Sequence, residues 1–146
     1  MDINQLSEFF GNHVLLVTAL VGIIIMLVAG EIQQRIGGVK EVGPVDATRM
    51  LNHENAIMID MRNDKDYQAG HIVNAVHLPE CNDSTMQGLE KFRKRPLIVY
   101  CRSGQQSTGV CSKLRKQGFE PVYNLKGGVV AWQNANLPLS RSQAGN

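Results

Sequence analysis

From Phe9 to Gly30 the chain reads FFGNHVLLVTALVGIIIMLVAG, 22 residues without a single Asp, Glu, Lys or Arg. At about 1.5 Å per helical residue, a run of that length matches a hydrocarbon core roughly 30 Å thick. A helix buried in a globular core is a poor alternative, because no polar face recurs every three or four residues between Val14 and Ala29. A cleaved secretory signal wants a basic start and a shorter apolar core; this N-terminus is acidic. The sequence therefore predicts a retained transmembrane helix over 9–30, in contact with membrane lipid, after a short extracytoplasmic segment, 1–8.

Charge sets the expected orientation. All 15 Lys and Arg residues lie after residue 30, whereas the first 30 residues carry only Asp2 and Glu8. Arg35, Lys40 and Arg49 follow the span, which puts the C-terminal part on the cytoplasmic side of an inner membrane and the N-terminus outside. Three cysteines, an odd number without framework spacing, agree with a reducing compartment.

Residues 31–39 read as a linker in which Gly37 and Gly38 break the helix. Beyond it, strand and helix signals alternate. Short strands are expected near Lys40–Val42, at Ala56–Asp60, in NAVHLP before Pro79, in PLIVYC and in EPVYNL. Helices are expected from Pro44, over DKDYQA to a stop at Gly70, over Ser84–Lys94, over Ser107–Gln117 and after the turn at Gly127 and Gly128. Such alternation implies an α/β domain with a mostly parallel sheet covered on both faces. Residues 139–146 are expected to form a flexible tail. No internal repeat, glycine-rich nucleotide fingerprint or metal-ligand cluster is present in the sequence, so no metal, cofactor or nucleic-acid partner is expected.

PLIVYC is the most apolar strand candidate, and it ends on Cys101. In open parallel sheets ligands bind at the carboxyl ends of strands. The residues that follow, Arg102, Ser103, Gly104, Gln105 and Gln106, can curve so that their N–H groups face inward. The helix from Ser107 adds its positive N-terminal dipole. Such a nest stabilises an anion, and Arg102 adds a cation; both lower the pKa of a thiol. Cys101 is thus the candidate nucleophile. A cysteine phosphatase needs an arginine six positions after its cysteine, where this chain has Ser107. A small ring of N–H donors suits a persulfide better than a phosphate.

Four motifs occur in order: IDMR (Asp60, Arg62), YQAGHIVNAVHLP, VYCRSGQQS, and LKGGVVAWQNANLP (Gly127, Gly128, Trp132). Together they resemble the single-domain rhodanese-like sulfurtransferases over about residues 40–138. The resemblance implies a rhodanese fold with a five-stranded parallel sheet and a persulfide intermediate on Cys101. It also implies a thiosulfate-type donor, a thiol or protein acceptor, and cyanide as a laboratory acceptor. Many members of that family carry a second arginine where this chain has Gln106, so weaker attraction for a dianionic donor is expected, with Arg102 as the main cation.

Arg62 either supports the active loop or closes a structural network with Asp60. Gly127 and Gly128 either let backbone approach the loop or make a turn. His71, His77, Cys81, Cys111 and Trp132 are expected to be structural or incidental. KFRKR, Lys91–Arg95, is either a solvated helix end or a patch for anionic lipid or an acidic protein. Thr18 and Gly22 hint at an integral membrane partner. A tethered docking module with little catalysis is the alternative function, since fold alone does not choose.

Overall fold

The structure, a computed structural model, describes residues 13–36 and 38–141. The chain divides into two units, Met1–Gly38 and Val39–Asn146.

In the first unit, α1 (Val14–Ile36) is a 23-residue helix. It continues through residues 31–36, which the sequence assigns to a linker; nothing in EIQQRI is a helix breaker, and the first glycine is Gly37. Most of its described apolar side chains are exposed, with Leu15 80% and Met26 79% accessible. The expected span over 9–30 is described only from residue 13 onward. Among the described residues no helix is long and apolar enough to cross a membrane. The segment 1–8 lies outside the described residues.

The second unit is a parallel sheet between two layers of helices. Its elements run β1 (Lys40–Val42), α2 (Pro44–His53), β2 (Ile57–Asp60), α3 (Asp64–Ala69), β3 (His71–Ile72), β4 (Val76–His77), α4 (Asp83–Gln87), β5 (Leu97–Tyr100), α5 (Gln106–Lys116), β6 (Val122–Leu125), α6 (Gly128–Asn134) and β7 (Leu139–Ser140). Five strands pair in the order β1-β6-β5-β2-β4, every pair parallel.

Strand β5 lies at the centre and all four of its residues are buried. Its alternation divides the core. Ile98 and Tyr100 join Ala47, Met50, Val129 and Trp132, which come from α2 and α6. Leu97 and Val99 join Val110, Cys111, Leu114 and Met86, which come from α5 and α4. A period of two in the strands thus meets an amphipathic helix stripe on either face.

Two expectations need correction. The helix expected over Ser84–Lys94 is α4 followed by a 3-10 turn, Glu90–Phe92. Asn82 and Thr85 form a reciprocal cap at its start, and Gly88 ends it after five residues. Leu139 and Ser140, expected in a flexible tail, form β7 and pair antiparallel with β3. Pro138 forces an extended entry, and Leu139 packs on the core. Residues 142–146 lie outside the described residues.

Candidate active site

Cys101 follows directly on β5, so the central strand delivers its sulfur to the carboxyl edge of the sheet. The side chain is only 2% exposed, yet it lines a cavity of about 370 Å³. Met61, Arg62 and Asp66 form one wall of that cavity, and Arg102, Ser103, Gln105 and Gln106 form the other. The sulfur is therefore at the base of a polar recess.

The loop closes around it. The Gly104 N–H donates to Sγ at 3.1 Å, and the Ser107 hydroxyl stands 3.4 Å from it. Gly104 has φ 87°, and a Cβ there would meet the Leu125 carbonyl oxygen at 2.9 Å. Only glycine turns the chain this tightly against β6. Helix α5 begins at Gln106, one residue earlier than expected, with no acidic residue in its first turn to offset its dipole.

These donors decide the state of the thiol. Burial pushes the Cys101 pKa up, but the Ser107 hydroxyl and the N–H groups of Ser107, Ser103 and Gly104 outweigh it, and the pKa falls below the ordinary 9.0. The other two cysteines go the opposite way. Burial raises the Cys111 thiol to about 12, and burial also raises Cys81 despite the nearby Lys113. Of three thiols, only Cys101 is tuned toward the anion.

A residue the sequence analysis passed over completes the loop. Asn124 of β6, 1% exposed, donates from Nδ2 to the Gly104 carbonyl at 2.8 Å, and its Oδ1 accepts from the Ser107 hydroxyl. A polar residue at a buried position of VYNL was the available signal.

Helix α6 holds the other side. The Val129 and Val130 N–H groups donate to the carbonyls of Cys101 and Arg102 at 3.0 and 3.3 Å. Gly128, with φ 59°, makes this approach feasible: a Cβ would lie 2.4 Å from the Cys101 oxygen. Gly127 serves the turn itself, with φ 73° and Ala131 beside it. Gly128→Ala is expected to destabilise the domain by roughly 2–6 kcal/mol, as backbone strain and overpacking add. Urea unfolding monitored through Trp132, the one tryptophan, measures this loss.

Asp60 and Arg62 anchor the neighbouring strand end. Buried Asp60 receives Nε and Nη2 of Arg62 at 3.0 and 2.7 Å and the Tyr100 hydroxyl at 2.7 Å. Arg62 Nη2 also donates to the Gly70 carbonyl at 2.7 Å. The Tyr100 hydroxyl in turn accepts from the Ile72 N–H, and burial beside Asp60 raises its pKa. This network ties β2 to β5, while Arg62 also lines the recess over Cys101. The Arg62 side chain thus closes the network with Asp60 that the sequence suggests, and its bonds go to Asp60 and Gly70 rather than to the loop.

The model of the rhodanese-like domain matches residues 44–135. The chain belongs to this family. YibN, an uncharacterized protein of Escherichia coli, is 32% identical over 95% of this chain and 99% of its own length. The thiosulfate sulfurtransferase GlpE of Vibrio cholerae is 38% identical over 66% of this chain and 90% of its own. The crystal structure of the Alr3790 protein from Anabaena sp. superposes with a TM-score of 0.60 at 28% identity, covering 68% of this chain and 81% of that one.

Within this rhodanese-like domain the histidines and the basic cluster make the following contacts. His71 Nδ1 meets the Tyr67 carbonyl at 2.8 Å, and His77 Nε2 meets the Arg62 carbonyl at 2.8 Å. Both imidazoles stack on Tyr67. In the basic cluster, Arg93 pairs with Glu90 and lies over Phe119. Arg95 donates to the Asn55 carbonyl, and both Arg95 and Lys91 lie over Phe92. Most of that charge is engaged within the fold.

Proposed function

We propose that this rhodanese-like protein is a membrane-anchored sulfurtransferase that carries sulfane sulfur on Cys101. Family membership, with thiosulfate sulfurtransferase relatives at 35–38% identity, supports an enzyme. The single observation that carries the mechanism is the convergence of the Gly104 N–H and the Ser107 hydroxyl on Cys101 Sγ at 3.1 and 3.4 Å, donors that favour the thiolate.

The Cys101 thiolate attacks the outer sulfur of a thiosulfate-type donor. A new S–S bond forms as the donor's own S–S bond breaks, and sulfite leaves with the electron pair. The terminal sulfur of the persulfide carries the negative charge into the recess, where the loop N–H groups face it. An acceptor thiolate then attacks that terminal sulfur, and Cys101 departs as the thiolate from which it began. Arg102, exposed at the rim, draws the anionic donor inward. Gln106, also at the rim, adds hydrogen bonding without charge.

The uncharged run over 9–30 and the exposed apolar side chains of α1 support an anchor in an inner membrane. The basic residues that follow support a cytoplasmic catalytic domain. An integral membrane protein is a fitting neighbour for that helix, and a thiol or protein thiol is the fitting acceptor.

Intact mass after incubation with thiosulfate tests the reaction: the expected gain is one sulfur atom. A chain that stays unloaded with every sulfane donor tried would favour the docking alternative, toward which the uncharged Gln106 points. Fractionation tests the anchor, which predicts recovery with membranes after a high-salt wash and release by detergent.

A further inference from the structure

We propose that Asn124 is a positioning residue for Cys101, acting as the acceptor that competes with the sulfur for the single hydroxyl proton of Ser107. The inference rests on the reading of Cys101 as the nucleophile.

The amide of Asn124 has one permitted orientation. Its Nδ2 faces three acceptors: the Gly104 carbonyl at 2.8 Å, Thr108 Oγ1 at 3.3 Å and Glu41 Oε1 at 3.4 Å. Exchanging nitrogen and oxygen would set Oδ1 against the Gly104 carbonyl oxygen and the Glu41 carboxylate, acceptor against acceptor. Oδ1 must therefore face Ser107, whose side chain is fully buried.

Ser107 Oγ then stands between two acceptors, Asn124 Oδ1 and Cys101 Sγ, with one proton to give. When Cys101 is a neutral thiol or the inner sulfur of a persulfide, Sγ is a weak acceptor and the proton rests on Asn124. When Cys101 is a thiolate, the hydroxyl turns to the sulfur and Oδ1 loses the one donor it has among the described residues. A buried acceptor left without a donor is costly. Asn124 thus works against full stabilisation of the thiolate. That opposition has a use, because a thiolate held too comfortably is a poorer nucleophile.

The titratable and charged groups facing this cluster are Glu41 from β1, Cys111 from α5, Arg102 of the loop itself, and Arg62 and Asp66 across the recess. The first turn of α6 contributes none. All of them are retained in the variants that follow.

The test is a double-mutant cycle on the full chain, reading the pH midpoint of Cys101 alkylation by iodoacetamide, with the modified peptide identified by mass. Asn124→Ala is expected to lower the midpoint by about one unit, the scale of one hydrogen bond to a charged group. Ser107→Ala is expected to raise it. In the Ser107→Ala background, Asn124→Ala is expected to move it by less than about a third of that shift. Equal shifts in both backgrounds, or a rise on Asn124→Ala with Ser107 present, would overturn the proposal. If Trp132 fluorescence shows Asn124→Ala to be unfolded, Asn124→Ser enters the same cycle with the same expected signs. Sulfur loading is not read here, so failure of the coupling and failure of the proposed transfer are separate results.

Discussion

Replacing Cys101 with serine is expected to abolish sulfur loading and to cut transfer from thiosulfate by a factor on the order of 10⁴ or more, the scale of losing a catalytic nucleophile. The serine hydroxyl keeps the shape of the side chain but is not ionised near neutral pH, and it does not form a persulfide. Because the loop contacts remain, urea stability is expected to change by less than about 1 kcal/mol. The same assay on Cys111→Ser and Cys81→Ser supplies the contrast, since both of those thiols are held toward the neutral form. Sulfur gained normally by Cys101→Ser would place the chemistry elsewhere.

Arg62→Ala is expected to destabilise the domain by roughly 3–5 kcal/mol, the usual consequence of stripping one partner from a buried ion pair. Asp60 is fully buried, and Arg62 is the only cation bonded to it among the described residues. The Tyr100 hydroxyl and the Arg62 N–H still reach the carboxylate after the change, but neither carries charge. Arg62→Lys is expected to lie between the two, because an ammonium lacks the planar fork that meets both carboxylate oxygens. Urea midpoints followed through Trp132, 4% exposed in α6, measure both variants. A loss below about 1 kcal/mol for Arg62→Ala would mean that the buried Asp60 carboxylate does not depend on this pair.

The regular parts of this fold are legible in its sequence because period and burial agree there. LIVY is apolar throughout because β5 is covered on both faces, and Gly118 follows α5 where that helix must stop. What escapes is structure made by few residues over long separations. The β3–β7 pair is two residues on each side, joined across about 70 positions of chain, and no local pattern marks it. Ser84–Lys94 reads as one helix because its composition favours helix, whereas the Asn82 cap and Gly88 confine it to five residues.

The site divides in the same way. Cys101, its loop and Gly128 stand out by motif and by the glycine a close backbone approach requires. Asn124 lies 23 positions beyond Cys101 on another strand, and only the parallel register of β5 with β6 brings it to the loop. The dual engagement of Arg62, between Asp60 and the recess, likewise depends on where Gly70 ends α3.

The pH dependence of Cys101 alkylation in the unmodified chain tests the central claim most directly. The pKa of this thiol is lower folded than unfolded, so the thiolate form favours the native state. That contribution is present above the unfolded pKa and is lost as pH falls through the folded one. Iodoacetamide reacts with the thiolate, so the midpoint is expected below 9.0, with Cys101 the first of the three cysteines to react as pH rises from acid. A Cys101 midpoint at or above 9.0, or reaction of Cys81 ahead of it, would contradict the account.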